Sequence, residues 1–432
     1  GKKMKRKILA ALLSAVMCVG LLAGCGAENT KESGDGKVTL DVWDIWTDPS
    51  SSLTTAFEDA VAQYEEEHPD INIELHGLDT DAYKTKMSTE FAGKAEGIDV
   101  FYYWAPGMIR KLIEADKVLP IDEYVTDEQL DRVKEGRTQS FEFDGKLYGL
   151  PIDSYMVILF CNQELFDQAG AKIPTTYEEL LEAGKKLQQL DGVTPLALGA
   201  KDGWLAGTLY ESLAMREVGA EKVNQVLLGE EPFDDPGFTS AAEKMNELYE
   251  NGILGENPLE DGEAEANAKF LGGRAAMRLT GSWFAADIDS SEDSTIADNV
   301  VVTTFPMTRS DGATTDYSGG ANSSFFVNKS TEHPKEAAEF AAYITEAMGS
   351  QAPELGSGFT SWNVDNDESK ISPTFAKMIP LFDEVENGVL AWDTVLDANP
   401  AATHQEECQT LLADSADVDA FIQGHQEVIG KQ

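Results

Sequence analysis

The side chains best equipped for chemistry in this 432-residue chain are its carboxylates and its tryptophans. The carboxylates alone decide nothing. With 77 Asp and Glu, almost any two would pass for the acid and nucleophile of a glycosidase. Residues 287–298, "DIDSSEDSTIAD", carry oxygen-bearing side chains at alternate positions, as a calcium loop does, but lack the glycine at the sixth place and the closing glutamate. The histidines, His68, His76, His333, His404 and His425, show no metal-ligand spacing. There is no G-x-S-x-G nucleophile elbow, no H-E-x-x-H, no G-x-x-x-x-G-K-[ST], and no G-x-G-x-x-G at a strand–helix turn. Neither a metal nor a cofactor is expected.

The tryptophans are more informative. Trp43 and Trp46 stand three apart in "VWDIWTDPSSSL", beside Asp44 and Asp48, where a strand gives way to a loop. Trp104 follows "DVFYY" directly, and Trp283 closes "GSW". Trp204 in "AKDGWLAG" and Trp362 in "GFTSWN" read as loop residues. A loop tryptophan outside any helical period is better explained by a contact surface than by a core. Trp43 continues the strand register of Val42 and is read as a core anchor, and Trp392 in "GVLAWDTVL" as helix packing.

The elements that must hold these residues follow from the apolar pattern. Val38, Leu40 and Val42 alternate as a half-buried strand does, and Ile71, Ile73 and Leu75 do so again. Between them Leu53, Phe57, Ala60, Val61 and Tyr64 fall on one helical face. A helix from about residue 81 to 92, the strand "DVFYY" and a helix through "MIRKLIEA" continue the alternation, which predicts an α/β unit with a largely parallel sheet. "YMVILFCN" reads as a buried strand ending at Asn162. Thr175 or Thr176, with Glu178 or Glu179 three residues on, marks the start of another helix. "YSGGANSSFFVNK" reads as a glycine-rich turn into a strand, with Gly319 and Gly320 in the turn, and the tail from about residue 372 as mostly helical.

Length allows two to three domains, and no linker is long enough to separate independent ones, which suits two lobes between which the chain crosses more than once. A balance of 33 basic to 77 acidic residues leaves no basic stripe to follow phosphates, so nucleic-acid binding is not expected. At the start, "KKMKRK" precedes the apolar run of residues 8–24, and "LAGC" ends it at Cys25. This is the layout of an export signal with a lipoprotein cleavage box. Residues 1–24 are read as the signal peptide, Cys25 as the lipidation site, and residues 25–37 as a flexible tether holding a monomer at the outer face of the membrane. Cys18 leaves with the signal. Cys161 and Cys408 are read as two separate buried thiols, a disulfide being the alternative.

In their order, "FEDAVAQYEEEHPDINIE", "YKTKMSTEFAGKAEGIDVFYYW", "LPID" with "FCNQELFDQAGAKIPTTYEELLEAGKKL", "FLGGRAAMRLTGSW" and "AAEFAAYIT" resemble the family 1 extracellular solute-binding proteins, lipid-anchored receptors of carbohydrate ABC importers in Gram-positive bacteria. "EGIDV" departs from the family pattern, which often has a proline before the aspartate. The resemblance implies an α/β fold of the type II periplasmic-binding-protein kind, with two hinged lobes closing on a sugar and permease subunits as partners. The lobes are expected at residues 38–149 with about 306–348, and at about 150–305 with 349–432. A sugar offers C–H faces to flat rings and hydroxyls to carboxylates and amides. The expected sugar-binding residues are Asp44, Trp46, Trp104, Asp153, Tyr155, Trp204, Trp283, Gly320 and Trp362, with Asp153 also suited to a hinge role. Two other functions stay open on sequence: a receptor of the same fold for a polyamine or peptide, and a lipid-anchored glycoside hydrolase.

Overall fold

A computed structural model describes residues 36–429. The expected signal peptide, Cys18, Cys25 and nearly all of the tether lie outside the described residues. Among the described residues the first strands are β1 (Val38–Asp44), β2 (Ile71–Gly77) and β3 (Val100–Trp104). A small hairpin, β4 (Glu142–Phe143) and β5 (Lys146–Leu147), precedes the long β6 (Asp153–Asn162). Then come β7 (Thr194–Ala197), β8 (Ala275–Gly281), β9 (Val300–Thr303), β10 (Asp316–Gly320), β11 (Ser323–Val327), β12 (Phe359–Thr360) and β13 (Asn387–Val389).

Two sheets divide these strands. The first has the order β11-β3-β1-β2, with β1 parallel to β2 and β3, and β11 antiparallel at the edge. The second runs β13-β10-β6-β8-β7, with β9 and β12 also on β6. Along β6, Leu159 and Cys161 enter one core cluster while Met156, Ile158 and Phe160 enter another. Both faces of the strand are covered, which is why its sequence is apolar without alternation. Helix starts carry their own signals. Ser51 accepts the Leu53 N–H at the head of helix Ser52–Glu67. Thr176 and Glu179 form the capping box of helix Tyr177–Leu187. Asn162 ends β6 and caps helix Gln163–Ala169.

The chain passes between the sheets at places the sequence pattern misses. The segment 306–320 belongs with the second sheet, because Tyr177 N–H donates to the Met307 carbonyl and β10 pairs with both β6 and β13. The return to the first sheet falls between Gly320 and Ser323, later than expected. Gly319 and Gly320 are therefore strand residues, with φ of +154° and +143°. The expectation that Gly320 binds ligand is not met: a Cβ there would meet Leu390, and the residue does not line the cavity described below. The segment expected wholly in the second lobe also revisits the first. Trp362 joins the first lobe's core, and Lys134 N–H donates to the Ser361 carbonyl at 2.8 Å. Ile371 and Phe375 are back in the second.

At the crossing, Ile152 N–H donates to the Ser323 carbonyl at 3.0 Å, and Tyr155 and Met156 face Gly320 and Gly319. A Cβ on Gly319 would lie 2.1 Å from the Tyr155 carbonyl oxygen. Gly319→Ala combines this clash with a φ that L-residues avoid, and is expected to cost about 2–3 kcal/mol or more. Urea unfolding measures it; a wild-type midpoint would contradict the assigned crossing.

Candidate functional site

Between the sheets lies a cavity of about 440 Å³, within the size range of small-molecule sites. Its walls come from the ends of strands and the segments just beyond them. Trp104 is the last residue of β3, Trp46 lies two residues past β1, and Trp283 two residues past β8. Ligands of α/β sheets collect at such strand ends, where loops are free of ladder bonds. The two lobes supply comparable surfaces. Trp46, Tyr102 and Trp104 face inward from the first, and Tyr155, Trp204 and Trp283 from the second.

These rings hold each other at angles. Tyr102 and Trp104 meet edge to face, 5.1 Å between centroids and 86° between planes. Trp283 stands 5.5 Å from Tyr155 and 6.2 Å from Trp204. Its indole also lies so close over Gly281 that a Cβ there would sit 2.0 Å from the ring. The tyrosine ring is fixed as well, because its hydroxyl oxygen accepts the Ala391 N–H at 2.8 Å. Trp204 is not a loop residue; it occupies the first turn of helix Gly203–Val218. Its indole N–H is buried without a hydrogen-bond partner.

Polar groups are interleaved with the rings. Asp153 lines the cavity at the lobe crossing, near the Ser357 hydroxyl (3.5 Å), and burial pushes its carboxyl up to about 8. Burial likewise raises Glu263 to about 7 and Asp287 to about 6. Asp287 also accepts from Ser51 of the first lobe. Burial thus favours the protonated form of each, which offers a hydroxyl a donor as well as an acceptor. Desolvation is the dominant cause at all three.

Two of the expected residues serve the site from outside it. Asp44 follows Leu40 and Val42 in the inward register of β1 and is buried, 3% exposed. Its Oδ1 accepts the Trp46 N–H at 2.9 Å and so aims the loop, and burial raises its carboxyl to about 6. Trp362 corrects the expectation more sharply. It is completely buried, and its indole N–H reaches the carbonyls of Pro151 (3.0 Å) and Ile152 (3.2 Å) at the lobe crossing. A partner for its one N–H and apolar neighbours for its ring make it a hinge anchor. Trp43 points away from the cavity, stacked at 4.9 Å on His76, with its N–H on the Gly97 carbonyl. Asp287–Ser290 lie within a helix, Phe284–Ser290, rather than in a calcium-type loop. Cys161 and Cys408 are both buried and free.

Sequence reasoning missed the group that ties the lobes together. Lys84, from helix Thr80–Ala92 of the first lobe, pairs with Asp393 of the second at 2.9 Å. Its ammonium also sits 4.8 Å from the Trp104 ring and 5.9 Å from that of Trp204. A second bridge runs from Ser52 N–H to the Ser290 hydroxyl oxygen. Contacts across 309 and 238 positions leave no local signal. Glu211 was also missed, although a signal existed: it is a lone acid in the apolar run "LAGTLYESLAM". That run is a helix buried on every side, and Glu211 opens onto the cavity.

The comparisons with known proteins agree with this architecture. A solved structure from a study of xylan utilisation by the thermophilic bacterium Caldanaerobius polysaccharolyticus superposes with a TM-score of 0.85. It is 30% identical, over 90% of this chain and 99% of that one. A chitin oligosaccharide binding protein gives a TM-score of 0.81 at 24% identity, covering 91% and 98%. The multiple sugar-binding protein of Streptococcus mutans is 22% identical over 77% of this chain and 76% of its own. The family model of the bacterial extracellular solute-binding proteins matches residues 50–351, and the chain belongs to that family.

Proposed function

We propose that the protein is an extracellular receptor that captures a neutral oligosaccharide between its lobes and delivers it to an ABC importer. The carrying observation is the set of six aromatic rings, three from each lobe, lining one cavity and separated by carboxyls and amides such as Asn267 and Asn322. Rings bind the C–H faces of a sugar, and the interleaved polar groups replace the water its hydroxyls lose. Rings spread over both walls suit more than one sugar unit. The family consists of binding proteins, and neighbours with sugar ligands in their names share the fold, which supports this reading over a hydrolase. Attachment to the membrane would come through Cys25, which ends the lipoprotein-type box "LAGC".

Calorimetry against xylo-oligosaccharides, chitin oligosaccharides, raffinose, maltotriose and spermidine tests the proposal. A neutral oligosaccharide is expected to bind at about 1 μM or tighter. Heat only with spermidine would assign the cavity to polyamines, and silence across the sugars would overturn the proposal. With the best-binding sugar, Trp283→Ala should weaken affinity by well over tenfold, about 1.4 kcal/mol or more, with the unfolding midpoint retained. Unchanged affinity would make Trp283 a packing residue only.

A further inference from the structure

Behind the second lobe's wall runs a chain of polar groups that stacking on a sugar does not require. Glu211 belongs to helix Gly203–Val218, His404 to helix Ala398–Thr410 and His425 to helix Val418–Val428. Both imidazoles are fully buried. His425 Nδ1 lies 2.9 Å from the Phe421 carbonyl oxygen. His425 Nε2 lies 2.9 Å from His404 Nδ1, and His404 Nε2 lies 3.1 Å from Glu211 Oε1.

The direction of this chain is fixed at its far end. A carbonyl only accepts, so the hydrogen is on His425 Nδ1. A neutral imidazole carries one N–H, so His425 Nε2 accepts and His404 Nδ1 donates to it. His404 Nε2 is then also an acceptor, and the bond to Glu211 needs a proton from the carboxyl. Oε1 accepts the Trp392 N–H at 3.2 Å as well, which a hydroxyl oxygen does while donating.

We propose that Glu211 meets the ligand as a neutral carboxylic acid, its proton held on the bond to His404, so that its Oε2 reads a sugar hydroxyl as an uncharged acceptor. The role toward the ligand rests on the sugar-receptor proposal; the position of the proton does not. Burial opposes the alternative, a His404 imidazolium facing a Glu211 carboxylate. It lowers His404 to about 4 and His425 to about 3, and raises Glu211 well above the carboxylate range. Asp393 faces both Glu211 and His404, raising each, and Lys84 acts on Glu211 in the opposite sense. The Cys408 sulfur, 3.7 Å from His404 Nδ1, stays a thiol because burial pushes it up. The hydroxyls of Tyr155 and Tyr210, near the same groups, are also pushed up by burial. The histidines contribute stability that is present above pH 6.5 and lost as pH falls toward 4. Glu211 contributes with the opposite sign, its share being lost as pH rises through its folded value.

His404, His425 and Cys408 also offer three ligand atoms within 4.8 Å of one another. Two nitrogens on a tetrahedral zinc, each at about 2.0–2.1 Å from it, stand roughly 3.3 Å apart. The 2.9 Å between the imidazoles is a hydrogen bond instead.

Long-range proton–nitrogen spectra of the ligand-free, histidine-labelled protein at neutral pH test the assignment. Two neutral Nδ1–H tautomers are expected. An imidazolium at His404, its Nε2–H tautomer, or stoichiometric zinc in the purified protein would each overturn it. In infrared difference spectra, Glu211→Gln should remove a protonated carboxyl band; loss of a carboxylate band contradicts the proposal. For the best-binding sugar, Glu211→Ala should cost about tenfold more affinity than Glu211→Gln, which keeps an uncharged acceptor. Equal losses would overturn the acceptor role. If no sugar binds the wild type, the sugar-receptor proposal fails while the spectra still decide where the proton is.

Discussion

The cavity lies beside two crossing segments that are bonded to each other. Ile152 donates to Ser323 of the first sheet, and Tyr155 and Met156 face Gly320 and Gly319 across an antiparallel pair of the second. A third pass of the chain then clasps the pair. Phe359 and Thr360 pair with Ser154 and Asp153, and the Trp362 indole N–H takes the Pro151 and Ile152 carbonyls. A backbone polar group buried without a partner costs about 1–3 kcal/mol, so these bonds set how the crossing is built. The same few residues place Asp153 and Tyr155 on the cavity wall, joining hinge and site in one stretch of chain.

The site trades solvation for shape. Asp153, Glu263 and Asp287 all have carboxyls raised by burial, and of the three only Glu263 is met by positive charge, from Arg278 and Lys84. That environment suits ligand hydroxyls, which both donate and accept, and it opposes anionic ligands. Lys84 sits between the Trp104 and Trp204 rings while paired to Asp393, so one side chain touches an aromatic wall of each lobe. One ion pair therefore joins the lobes beside an aromatic ring of each wall.

Much of this was legible in the chain. The strand–helix alternation of the first lobe, the buried β6 and the capping box at Thr176 are local patterns, and local patterns survive in sequence. Trp46, Trp104, Trp204 and Trp283 stood out because a tryptophan read as a loop residue needs a reason, and Tyr155 because it stands at the crossover; all five line the cavity. Trp362 misled because its partner, the carbonyls of the crossing, lies more than 200 positions away. Asp44 misled because a period-two register turned it inward, past the point where the strand seemed to end. Lys84, Asp393 and the pairing of Glu211 with His404 depend on packing between distant helices, which spacing does not encode.

The lobes are expected to close around a sugar. They meet where Gly107 approaches the second lobe so closely that a Cβ would lie 2.2 Å from the Val395 carbonyl oxygen. Small-angle X-ray scattering, with and without a saturating oligosaccharide, measures closure directly. The radius of gyration is expected to fall on binding in the wild type and to fall less in Gly107→Ala. A sugar that saturates the protein while leaving the radius unchanged would contradict closure.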